Sequence, residues 1–290
     1  MMFNLSNEIL SVKIAEKGAE LQSIFHLPNN LEYLWSGDEK FWAKKSPVLF
    51  PIVGGLKNNT YTFIGKDYKL SRHGFARDYI FQLKEQSESS ITFCLASSEQ
   101  TKAIYPFDFL FCIKYSLEKN QLRVVFSVEN TGSSDMFFSV GAHPAFAVPL
   151  NEKLAYEDYY LQFSQPEKAQ RWPLSADGLI EKESIPFLDN EDQLPLRREL
   201  FYKDAIVLKD LQSNSISILS HQSANGVKVT FDGFPYMGIW AAKDADFVCI
   251  EPWYGIADSV TASGNLIEKE GIIKLEAGGL FKRSYSIEVF

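Results

Sequence analysis

Apolar and polar residues alternate in short runs along most of the chain. Val12 and Ile14 alternate with Lys13 and Ala15, and Tyr61 and Phe63 with Thr60 and Thr62. Val124, Phe126 and Val128 alternate with Arg123, Val125 and Ser127. Near the C-terminus Phe281, Arg283, Tyr285, Ile287 and Val289 alternate with Lys282, Ser284, Ser286 and Glu288. A period of two sends successive side chains to opposite faces of a β-strand. Compact turn signals separate the runs: Ile64-Gly65-Lys66-Asp67, Gln86 to Ser90, Glu118 to Gln121 and Ala224-Asn225-Gly226. Parallel neighbours need long crossovers, so spacers this short predict antiparallel hairpins and meanders.

Helical periodicity is scarce. Asn151 to Tyr160 and Leu194 to Phe201 are each expected to form a short helix, without a long apolar stripe. The stretch from Arg171 to Glu199 is the loosest, rich in acids and prolines. No linker, composition shift or fixed-period repeat divides the chain. The expectation is an all-β fold: one large antiparallel domain over residues 1–290, with two sheets stacked face to face.

The chain carries 29 Lys+Arg against 37 Asp+Glu, a net charge of −8 that disfavours nucleic-acid or anionic-membrane partners. A local basic pocket inside that acidic surface still suits a phosphorylated small molecule. No apolar run reaches the ~20 residues a transmembrane helix needs. The N-terminal residues lack the basic start and apolar core of a secretory signal, so a cytoplasmic protein is expected. Cys94, Cys112 and Cys249 each sit in an apolar stretch without metal-ligand spacing. Neither a disulfide framework nor a metal site is expected, and no cofactor motif is present.

Four places carry chemistry. Ser71-Arg72-His73-Gly74-Phe75-Ala76-Arg77-Asp78 gathers donors suited to an oxygen-rich ligand, and equally suits a solvated turn. His143 ends an apolar strand in Val140-Gly141-Ala142-His143-Pro144-Ala145-Phe146, where small neighbours leave room for a ligand. A histidine there also serves as a structural residue with one backbone partner. Glu251 ends the apolar run Val248-Cys249-Ile250. Pro252 is expected to stop the strand, placing Glu251 at a sheet rim beside Trp253 and Tyr254. A carboxylate so placed must be paired, protonated or solvated at a cleft; a salt bridge to one of the arginines is the plain alternative. Asp204 stands where a polar turn enters the apolar run Ala205 to Leu208, the usual place of a turn-capping aspartate. His26 and His221 precede turns and are expected to be exposed.

In order, Phe50-Pro51-Ile52-Val53-Gly54, Arg72-His73-Gly74-Phe75-Ala76-Arg77, Gly141-Ala142-His143-Pro144-Ala145-Phe146 and Glu251-Pro252-Trp253 resemble the aldose 1-epimerase, or galactose mutarotase-like, family. Within it the chain is most similar to the branch holding LacX and the glucose-6-phosphate 1-epimerases. The resemblance implies a large antiparallel β super-sandwich acting on a sugar or sugar phosphate; a monomer or homodimer is expected. It implies Glu251 as general base, His143 as general acid and His73 as helper at the ring oxygen. Arg72, Asp204, Trp253 and Arg77 are then substrate-binding candidates. Many relatives carry an arginine directly after the glycine that matches Gly54, where this chain has Gly55; Lys57, Arg72 or Arg77 are its candidate substitutes.

Interconverting anomers requires the anomeric hydroxyl to lose a proton while the ring oxygen gains one. The expected arrangement is a base and an acid on opposite sides of the hemiacetal: an ionised glutamate, and a histidine protonated through a modest upward pKa shift. Two other functions fit parts of the pattern. A non-catalytic sugar-binding protein needs Trp253, Arg72 and Asp204 without the acid–base pair. A glycoside hydrolase or lyase would use two carboxylates, for which Glu251 and Asp204 are available.

Overall fold

The structure, a computed structural model, describes residues 1–290. Strand accounts for 51% of the chain and helix for 8%, and every strand pair is antiparallel, as the alternation predicts. The period-two faces bury as expected: Leu10, Val12 and Ile14 in one strand, Tyr285, Ile287 and Val289 in another. Register brings these faces together, with Tyr115 opposite Val124 and Val124 opposite Tyr285.

A fifteen-stranded sheet forms the body. A four-stranded sheet, Met2–Ser6 to Leu31–Glu32, packs on it. Phe3 meets the Phe93 ring edge-on at 5.1 Å, and the Tyr115 hydroxyl donates to the Ala19 carbonyl at 2.7 Å. Much of the phenylalanine content fills this interior. Phe50 stacks on Phe111 at 4.5 Å and meets Phe75, Tyr105 and Phe109 edge-on. No helix is long and apolar enough to cross a membrane.

Several local expectations are corrected. Glu99–Ile104, capped by Ser98, is the only α-helix. Asn151 to Tyr160 contains only the 3-10 turn Tyr156–Asp158 before a long strand begins at Tyr159. Leu194 lies within the strand Ile185–Pro195, and Arg198–Phe201 is a 3-10 turn. That strand pairs with Tyr159–Arg171, so the middle of the loosest stretch, Ile185–Pro195, is a largely exposed ladder whose polar side chains face water. Ala224-Asn225-Gly226 lies inside the strand Ser223–Thr230, where Gly226 exchanges backbone hydrogen bonds with Phe290. Its missing side chain leaves space for the Phe290 ring. Cys94 and Cys112 lie directly opposite each other on neighbouring strands and form a disulfide. Sequence spacing does not reveal that register. His26 is buried, its Nδ1 accepting from the Asn29 backbone N–H at 3.3 Å.

One end of the large sheet prepares the site. Its strands run Val48–Leu49, Val140–Ala142, Phe247–Tyr254, Tyr236–Trp240 and Ile206–Lys209 in spatial order.

Candidate active site

Pro252 does not end its strand; Phe247–Tyr254 runs through it, with Met237 opposite. On the other side the ladder breaks. Gly141 pairs with Trp253 and Ala145 with Cys249, while Ala142, His143 and Pro144 make no pairing with the residues between. Two prolines, neither able to donate a ladder hydrogen bond, sit at this gap. The register is continuous across it, which sets His143 directly across from Glu251. The result is contact: His143 Nε2 lies 3.3 Å from Glu251 Oε2. Both residues are buried, with Glu251 only 1% exposed.

Alternation along the same strand sends Trp253 to the face that carries Glu251. Glycines make room for it. A Cβ on Gly141 would come within 2.8 Å of the Trp253 indole, and one on Gly238 would collide with its six-membered ring. The indole therefore lies across both neighbouring strands, its Nε1 buried and without a hydrogen-bond partner.

His73 arrives from the Ser71 to Asp78 turn. Its backbone N–H donates to the Gly54 carbonyl at 2.9 Å, and the Gly54 N–H donates to His73 Nδ1 at 3.1 Å. An imidazole that accepts at Nδ1 carries its proton on Nε2 when neutral. Gly74, at φ +71°, passes so close to the Phe50 carbonyl that any side chain would clash. The His73 and His143 rings meet edge-on at 5.7 Å.

Charged groups ring this floor. Arg72 Nη2 lies 3.5 Å from Asp204 Oδ2, and its guanidinium rests over Gly178. Asp204 Oδ1 accepts from the Ala205 N–H at 2.7 Å, as a turn-capping aspartate does. Arg171, which sequence reasoning missed, holds that turn from behind by donating to the Asp204 and Ala205 carbonyls. Arg77 donates from Nη2 to the Arg72 carbonyl at 2.8 Å, while its buried Nε lies 3.8 Å from Asp78 Oδ2 without a hydrogen bond.

These groups line one cavity of about 540 Å³. Glu251, His143, His73, Arg72, Arg77, Asp204 and Trp253 all reach it. Lys57 does not. It sits in the turn Lys57–Asn59 and its backbone N–H donates to Asp258, which places it behind the wall. Trp42, Phe201, Trp240 and Lys243 also line the cavity and carry no signal in the sequence pattern. Trp42 stacks on the His143 ring at 4.9 Å.

Burial governs the electrostatics. It pushes the Glu251 carboxyl well above the usual carboxylate range, against the pull of Arg72. It pushes His143 down to about 3, in the same direction as Arg77 and Arg72, instead of the modest rise expected. His73 is held well below its ordinary value by burial, then by His143 and the two arginines. Burial therefore favours a protonated Glu251 beside two neutral imidazoles. The Cys249 thiol is held protonated by burial and lies within 4.8 Å of the His143–Glu251 pair without reaching the cavity.

Comparison with known proteins places this geometry in context. Residues 1–274 match the family model described as aldose 1-epimerase. The chromosomal protein LacX of Lactococcus lactis subsp. lactis is 35% identical, covering 100% of this chain and 99% of that protein. A galactose mutarotase related enzyme from Lactobacillus acidophilus superposes with a TM-score of 0.95 at 34% identity, covering 100% of this chain and 97% of that one. A galactose mutarotase-like protein from Lactobacillus casei ATCC 334 gives 0.94 at 30% identity, with both chains covered in full.

Proposed function

Because the chain belongs to the aldose 1-epimerase family, we propose that it interconverts the α and β anomers of a hexose, with Glu251 and His143 moving the protons. The observation that supports this reading best is their 3.3 Å contact on the floor of a cavity of about 540 Å³. Small-molecule sites span about 300–1,000 Å³. Residues from Trp42 to Ala257 line it, so residues 1–290 are read as one working unit.

Adjacency replaces the opposite-sides arrangement for a chemical reason. The anomeric oxygen and the ring oxygen are both bonded to C1, so two groups standing side by side can exchange protons with both. Glu251, as carboxylate, takes the proton from the anomeric hydroxyl while His143, as imidazolium, gives one to the ring oxygen. The C1–ring oxygen bond breaks, and the open-chain aldehyde turns about C1–C2. Reclosure on the other face runs the same transfers backwards and restores the pair. One proton is shared throughout. Burial favours its resting on Glu251, whose Oε2 lies 3.3 Å from His143 Nε2. Each positioned proton-transfer group typically contributes about 10²–10⁴-fold.

His73 offers its Nε2–H at the ring oxygen, while Arg72 and Asp204 orient hydroxyls. A sugar-binding protein without catalysis has no need of a buried acid–base pair. For a hydrolase, Asp204 is already engaged by Arg72 and the Ala205 N–H.

A phosphorylated hexose is the second reading. Arg72, Arg77 and Lys243 give the cavity three cations in a chain of net charge −8. The Lys243 ammonium faces the Tyr202 ring and has no carboxylate partner. NMR saturation transfer between anomers of galactose, glucose and their 6-phosphates tests both readings. Exchange of any of the four supports epimerisation. Faster exchange of the phosphates, lost in Lys243→Ala, supports the second reading. Binding without exchange refutes both.

A further inference from the structure

Four groups enclose the His143 imidazole. Glu251 touches its Nε2, His73 and Trp240 stand edge-on at 5.7 Å, and Trp42 alone lies on its face, at 4.9 Å and 27°. Trp42 is not free to leave. Its other contacts include Phe247, stacked at 5.6 Å, and its carbonyl accepts from Trp35 Nε1 at 2.8 Å. The loop that carries it is pinned beyond Trp42 as well. The Lys45 and Ser46 N–H groups donate to the buried Glu20 carboxylate, and the Lys45 carbonyl accepts from Ala145, two residues past His143.

A face contact of this kind distinguishes the two protonation states of the ring. An imidazolium is attracted to the negative face of an indole, and a neutral imidazole gains much less. The other groups facing the ring pull in different directions. Arg72 and Arg77 repel a proton on it, His73 is neutral, the Cys249 thiol is uncharged, and the Glu251 carboxyl competes for the same proton. Trp42 is therefore the aromatic face placed to favour charge on His143.

We propose that Trp42 is a positioning residue that holds the His143 ring against Glu251 and draws their shared proton toward the imidazole. This rests on the pair acting as proton donor and acceptor, and it adds what makes the reactive charge arrangement accessible.

The test compares Trp42→Leu and Trp42→Phe with the unaltered protein by two readouts. The first is the ¹⁵N NMR signature of the His143 ring, assigned by its loss in His143→Gln. The ring is neutral near pH 7, so its nitrogens are followed through an acid titration, and in Trp42→Leu the pH at which they take up a proton falls below the value of about 3 in the unaltered protein. Trp42→Phe, which keeps a weaker face, lies between. The second is anomer exchange: kcat falls about tenfold in Trp42→Leu, the ratio a cation–π contact of typical strength supports, while KM stays within about twofold. Trp42→Phe recovers most of the loss. An unchanged ¹⁵N protonation midpoint in either folded variant overturns the proposal, even if the protein is an active epimerase. A shifted signature in a protein that exchanges no sugar refutes the proposed function and leaves the proton-placing role of Trp42 standing.

Discussion

The Trp253 indole occupies the space that a side chain on Gly238 would fill. Gly238 pairs with Glu251 across the neighbouring strand, so the same position seats the aromatic wall and flanks the carboxylate. Gly238→Ala forces the indole or the strand to move, and overpacking of this kind costs about 1–3 kcal/mol. The expected outcome is a lower midpoint in urea unfolding, together with weaker sugar binding by calorimetry. Unaltered stability and binding would show that the indole shifts freely.

Behind the cavity wall, Lys269 and Asp258 form a buried ion pair at 3.1 Å. Lys269 also donates to the Ile256 carbonyl. Asp258 accepts from the Lys57 N–H, and its own N–H donates to Gly55, next to the Gly54 that holds His73. Removing one partner leaves a buried charge uncompensated, at a cost of about 3–5 kcal/mol. Lys269→Met should destabilise the protein by that order. The Lys269→Met/Asp258→Leu double variant should lose less than the sum of the single losses, measured as a double-mutant cycle in urea.

Acid should weaken the folded protein in a defined window. An unfolded histidine takes up a proton near 6.5, whereas folded His143 does so only at about 3. Between those values the unfolded chain binds the extra proton, so stability falls as pH drops through the window. At pH 5 the His143 share is about 2 kcal/mol, at 1.36 kcal/mol per unit. His73 contributes in the same direction. Glu251 acts oppositely: above the usual carboxylate value the folded protein keeps a proton the unfolded chain releases, and stability falls as pH rises toward the raised pKa. Urea midpoints at pH 7 and pH 5 should therefore drop less in His143→Gln than in the unaltered protein. Equal drops would contradict the burial of a neutral imidazole.

The strands are legible in the sequence because one face of each is wet, and alternation records that directly. Glu251 and His143 are legible because a carboxylate inside an apolar run and a histidine between small residues are both costly placements without a purpose. Their direct apposition is not, since it depends on the ladder gap made jointly by Pro144 and Pro252. Read alone, Pro252 suggests a strand end. The Cys94–Cys112 bond is hidden for a similar reason, because register belongs to the pair of strands and not to either one. Trp42 escapes notice because its loop has no periodicity and its partner lies far along the chain. Lys57 misleads in the other direction: it is near Gly54 in sequence, yet the turn after Leu56 carries it behind the wall.

Anomer exchange in Glu251→Gln, followed by NMR saturation transfer beside the unaltered protein, decides whether Glu251 moves the anomeric proton. Glutamine keeps the shape of the side chain and removes its capacity to trade a proton with His143. The exchange rate should fall by about 10²–10⁴-fold, with far-ultraviolet circular dichroism showing the fold intact. A folded Glu251→Gln protein that exchanges anomers at the original rate would contradict that role for Glu251.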